Sequence, residues 1–102
     1  MEEKKYDKTE QIKAMTELFA KIDDPKDFED LLVDLCTYQE VEQMAQRLNS
    51  AYLIFCEKTY TQVMREVEIS SATLSRVSRC VSHGSGGYSR AFKKYGYEID
   101  ND

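Results

Sequence analysis

No glycine occurs before residue 84, and the single proline, Pro25, directly follows Asp24. Glycine and proline are the residues that interrupt helices, so a chain that withholds them for this long is free to be helical over most of its length. The apolar residues agree. In "TEQIKAMTELFAKI" Ile12, Met15, Leu18, Phe19 and Ile22 follow one another at intervals of 3, 3, 1 and 3, which places them on one stripe of a helix. No strand-like alternation lasts more than a few residues, so the fold class read from the chain is all-α.

Helix boundaries are marked in the same way. "DDPKDFEDLLVDLCT" opens with Asp24 as a cap and Pro25 at the first helical position, where the missing N–H costs nothing. Thr37 and Glu40 in "TYQE" match a capping box, from which a long helix is expected to run to about Glu57. Its apolar stripe, Val41, Met44, Ala45, Leu48, Ala51, Tyr52, Phe55 and Cys56, is widened by Leu53 and Ile54. That is more than one packing partner needs, and it suggests burial on two sides, as in a dimer.

The next segment, "TYTQVMREVEISSATLSRVSRCVSHG", is the most informative in the chain. Thr59 and Gln62 form a second capping-box pair that opens a short helix at about 60–67, and Ser70 can cap another at about 71–81, before Gly84. Val63, Val67, Ile69, Leu74 and Val77 stand at relative positions 0, 4, 6, 11 and 14. That spacing lets two crossed helices share one small core across a turn, so residues 60–81 read as a helix-turn-helix. Two positions depart from the usual pattern: Met64 stands where alanine is common, and Glu68 where the turn often has glycine.

Charge then bears on function. Residues 1–57 hold seven lysines and arginines against fourteen acids, residues 58–95 seven against two, and residues 96–102 none against three, which accounts for the net charge of −5. A phosphate backbone responds to the local patch rather than to the average. From Ile69 to Arg79 there are two arginines, five hydroxyl residues and no acid. At about 100° per residue, Leu74, Val77, Ser78 and Val81 fall on the inner side of the second helix, and Ala72, Ser75, Arg76 and Arg79 on the outer. Small residues allow close approach to a major groove, arginine can fork onto guanine, and Ser or Thr can bond bases or phosphates. The expected partner is double-stranded DNA, read by Ser71, Ala72, Thr73, Ser75, Arg76 and Arg79. The rival reading is an interaction module that uses the same surface to dock another protein.

From about Phe28 to Phe92 the chain resembles the Trp repressor family, in particular its YerC/YecD-type branch. "LCTYQEVEQMAQRL" and "SSATLSRVSRCVSHGSGGY" carry most of the likeness. The resemblance implies an intertwined helical homodimer that represses transcription at a palindromic operator through the second helix of each helix-turn-helix. It also implies that Thr61, Ser70, Ser71, Ala72, Thr73 and Ser75 lie in the operator-contact region. Arg47 and Arg76 match the family's two arginines that sandwich a tryptophan corepressor, and Thr37 and Thr73 match others lining that pocket. Val77 stands where the family has a glycine beside the indole, and its β-branched side chain would fill that space. Tryptophan is therefore not the expected corepressor, and no effector is assigned.

Other chemistries find little footing. Cys36, Cys56 and Cys80 are odd in number, widely spaced and accompanied only by His83, which matches neither a disulfide framework nor a zinc site. Cys36 and Cys56 fall in apolar runs and read as small core residues. "HGSGGYSR" has no preceding strand and no following GK[ST], so it reads as a turn before a last short helix, "GYSRAFKKYG". His83 has no catalytic partner nearby in sequence and reads as a helix-end residue. No metal pattern, activated nucleophile or cofactor loop is present, so an enzyme is not expected. No apolar run approaches the roughly 20 residues of a membrane span, and the charged start "MEEKKYDKTEQ" points to the cytoplasm. The expected organisation is a partly disordered extension at 1–8, a single helical domain at 9–95, and a disordered acidic tail at 96–102.

Overall fold

The computed structural model describes residues 5–99, and among these it holds six helices and no strand: α1 (Lys8–Lys21), α2 (Pro25–Leu35), α3 (Tyr38–Phe55), α4 (Tyr60–Val67), α5 (Ser71–His83) and α6 (Gly87–Tyr95). The caps explain most of the boundaries. Asp7 accepts from the Glu10 N–H at 2.7 Å and starts α1, and Asp24 accepts from the Lys26 N–H at 3.0 Å and starts α2, with Pro25 in the first turn. The Thr59 hydroxyl accepts from the Gln62 N–H at 3.2 Å while Gln62 Oε1 accepts from the Thr59 N–H at 2.9 Å, a complete capping box for α4. α3 stops at Phe55, two residues short of the expected end, because Glu57 adopts a left-handed conformation (φ 66°) that a helix cannot contain.

The chain forms two compact units, Met1–Tyr38 and Gln39–Asp102. The reason lies in what each contributes to a core. Neither α1 nor α2 buries a residue, although within their own unit Phe19 and Phe28 meet with ring centroids 5.0 Å apart. Ile12 remains 57% exposed and Leu35 55%.

The second unit has a true core, made of Ala51, Val63, Ile69, Leu74, Val77 and Phe92. Four of the five residues spaced for a helix-turn-helix are in it; the fifth, Val67, is half-buried and packs against it. Tyr52, Leu53, Ile54 and Phe55 of α3 complete the wall, and Phe92 of α6 closes the far side with its ring 5.3 Å from that of Tyr52 and 5.4 Å from that of Phe55. Ser50 is fully buried beside Ala51 in sequence, and its hydroxyl has no hydrogen-bond partner among the described residues.

Three expectations fail locally. Cys56 is exposed rather than in the core, because it lies past the last residue of α3, while Cys36 is half-buried and Cys80 exposed. The acidic tail does not begin at residue 96: Tyr97 packs its ring against Tyr52 and Phe92, and only residues 100–102 of the tail lie outside the described residues. The extension expected at 1–8 is shorter, since Lys8 already belongs to α1; its residues 1–4 also lie outside the described ones.

Candidate nucleic-acid interface

The turn between α4 and α5 is made by Glu68, Ile69 and Ser70. Glu68 is left-handed (φ 58°, ψ 45°), a conformation in which glycine is unstrained and glutamate is not, and its N–H still reaches the Met64 carbonyl. Ile69 follows and is buried, which pins the turn onto the core. Ser70 then caps α5: its hydroxyl accepts from the Thr73 N–H at 3.2 Å and donates to the Thr73 hydroxyl at 2.9 Å.

Burial along α5 separates its two sides. Leu74 is fully buried and Val77 only 2% exposed. Ser71, Ala72, Thr73, Ser75, Arg76 and Arg79 are all exposed, as are Ser70 ahead of the helix and Thr61 in α4. No acid occurs from Ile69 through Tyr97, a stretch that contains Arg76, Arg79, Arg90, Lys93 and Lys94. The outer face of α5 therefore offers hydroxyls, one methyl and two guanidinium groups, backed by a core that holds the helix in place.

The residues matched to an effector pocket are distributed less simply. Arg47, Ala72, Thr73 and Arg76 share a cavity of about 520 Å³ with Gln43, Gln46, Glu68, Ile69 and Ser70. Among the described residues neither arginine is engaged in an ion pair. Val77 is not part of that lining: it turns into the core with Leu74 and Ile69, so its bulk acts on core packing. Thr37 belongs to the first unit. Sequence reasoning missed Gln43 and Gln46, whose spacing of three, together with Arg47, marks one polar face of α3 opposite its apolar stripe. It also left Glu68 out of this site, although the departure from glycine at that position was visible. His83 is exposed at the C-terminal end of α5.

Two helices joined by a turn that Ile69 pins to the core, the second presenting an acid-free outer face, define the class: a helix-turn-helix protein of the kind that binds DNA to regulate transcription. Comparison with known proteins gives the family. Residues 10–95 match the Trp repressor protein family, and the chain belongs to it. It is 36% identical over 85 residues to the uncharacterized protein YerC of Bacillus subtilis (strain 168), an alignment covering 80% of this chain and 82% of that one. In structure it is similar to a TrpR-like protein from Eubacterium eligens ATCC 27750, with a TM-score of 0.83 and 28% identity over 91% of this chain and 96% of that one. It is also similar to a protein from Staphylococcus aureus described as a candidate Trp repressor, with a TM-score of 0.80 and 26% identity over 88% and 90% of the two chains. The family consists of regulators rather than enzymes. No described helix is long and apolar enough to cross a membrane.

Proposed function

We propose that this protein is a transcriptional repressor that acts in the cytoplasm as a homodimer, placing α5 of each copy in successive major grooves of a palindromic operator. The observation that carries the reading is the two-sidedness of α5: Leu74 and Val77 anchor it, while Ser71, Ala72, Thr73, Ser75, Arg76 and Arg79 face outward with no acid among them. Base discrimination falls to Arg76, Arg79 and the hydroxyls around Ala72, whose small side chain admits a close approach to the groove floor. Thr61 and Ser70, at or near the starts of α4 and α5, are placed to hold phosphates.

Dimerisation is supported by what one copy leaves uncovered. Ile12, Met15 and Leu18 form an exposed apolar stripe on α1, and Met44 and Leu48 extend another along α3. Exposed apolar stripes of this kind mark a protein–protein contact. In a two-fold dimer the recognition helices must lie about 34 Å apart to meet successive grooves.

Selection of bound duplexes from a random pool, combined with sedimentation of the free protein, tests both parts. A palindrome with half-sites one helical turn apart, bound by a species of twice the chain mass, is the expected result. No enriched sequence, with binding that vanishes at moderate salt, would shift the surface to a protein-docking role.

A further inference from the structure

α6 ends at Tyr95, and Gly96, at φ 76°, turns the chain out of the helix in a conformation that strains any residue with a side chain. The next residue comes back to α3. The Tyr97 ring lies 5.1 Å from that of Tyr52, edge-on, and 5.7 Å from that of Phe92. Its hydroxyl donates to Oδ1 of Asn49, a residue 48 positions earlier. A ring seated among rings, with its polar tip bonded, is the arrangement by which a segment is fastened rather than left in solvent. Beyond the anchor, Glu98 and Ile99 form one side of a cavity of about 810 Å³, whose other sides include Asn49 and Leu53 of α3 and Glu66 and Val67 of the last turn of α4.

We infer that residues 96–99 are a strap, bolted by Tyr97, that closes the groove between α3 and the last turn of α4 and so holds the helix-turn-helix in register with α3. α4 needs that support. It has eight residues, of which only Val63 is buried, and a helix so short does not persist on local interactions. Glu66 and Val67 run directly into the Glu68 turn, so slack in the last turn of α4 passes to α5. The strap does not rest on the DNA-binding reading.

Amide hydrogen exchange on the full chain without DNA, comparing the wild type with Tyr97→Ala and Tyr97→Phe, tests the strap. Tyr97→Ala is expected to speed exchange across Tyr60–Val67 by roughly tenfold or more, with the amides of α2 unchanged. Tyr97→Phe keeps the ring and loses only the bond to Asn49, and is expected to speed the same amides by about threefold. Faster exchange confined to α6 in the alanine variant would overturn the inference, since Tyr97 would then do no more than finish that helix. If Tyr97→Ala does not fold, Tyr97→Phe decides alone, and unchanged exchange in α4 overturns the strap. Because no DNA is present, a failure of the operator reading leaves this result intact.

Discussion

The Ser70 hydroxyl holds Thr73 twice, accepting from its backbone N–H at 3.2 Å and donating to its side-chain hydroxyl at 2.9 Å. The cap that starts α5 therefore also orients one of the groups on the helix's outer face. One side chain thus fixes both the start of the helix and the direction of a neighbouring hydroxyl.

Ser70→Ala should accordingly fail in two measurements at once. Loss of an N-cap costs about 1 kcal/mol, or roughly 4–8 °C in the melting temperature of a domain this small. Operator affinity should fall as well, because the Thr73 hydroxyl loses its donor. Thermal denaturation and a duplex titration check the two effects separately, and unchanged melting would show that the cap contributes nothing.

Arg76→Ala and Arg79→Ala should each weaken binding to the selected operator by about 1–3 kcal/mol if the arginine reads a base. An arginine that touches only phosphate should instead reduce the salt slope by about one without changing sequence preference. Titrations at several salt concentrations separate the cases. Neither substitution should lower the melting temperature, since both side chains are exposed.

Glu68→Gly should stabilise the protein by about 1 kcal/mol, because the turn's left-handed conformation strains glutamate and not glycine. Chemical denaturation, with the midpoint rising and the slope constant, is the measurement. A destabilised variant would mean that the Glu68 side chain makes up for its backbone.

Ser50→Ala should also stabilise, by about 1 kcal/mol or more, by removing a fully buried hydroxyl that lacks a partner. Leu74→Ala should do the opposite and cost about 2–5 kcal/mol, since it opens a cavity at the centre of the core. Denaturation curves for the pair bracket the contribution of that core.

Burial lifts the Tyr97 hydroxyl above the ordinary tyrosine range. The folded state thus holds this proton more tightly than the unfolded state, and the associated stability is complete below about pH 10 and lost as pH rises through the folded value. Tyr97→Phe should remove that part of the alkaline fall in stability. Denaturation at pH 8 and at about pH 11 checks it: the difference between wild type and variant should narrow at the higher pH.

The helix-turn-helix was legible because its determinants are short-range. The Thr59 and Gln62 box, the Ser70 cap and the spacing from Val63 to Val77 all lie within one segment and hardly depend on the rest of the chain. Cys56 was misread because it closes the apolar run that begins at Ala51, although α3 has already ended at Phe55. The cavity lined by Arg47, Arg76 and the glutamines of α3 was only half legible, because the two arginines came from likeness to the family while Gln43 and Gln46 carry no motif of their own. The Tyr97 anchor was hidden for a different reason. Three acids in seven residues look like a solvated tail, and nothing local to them points to Asn49, 48 positions away. The division into two units was likewise invisible, since periodicity shows which face of α1 is apolar and not what that face will meet.

A left-handed glutamate in the turn also bears on how long each molecule lasts. Forfeiting about 1 kcal/mol at one backbone position raises the unfolded fraction roughly fivefold, and unfolded chains are the ones that cellular proteases clear. Glu68→Gly, by relieving that strain, should therefore lower the unfolded fraction roughly fivefold and lengthen the survival of each molecule in a protease-containing lysate.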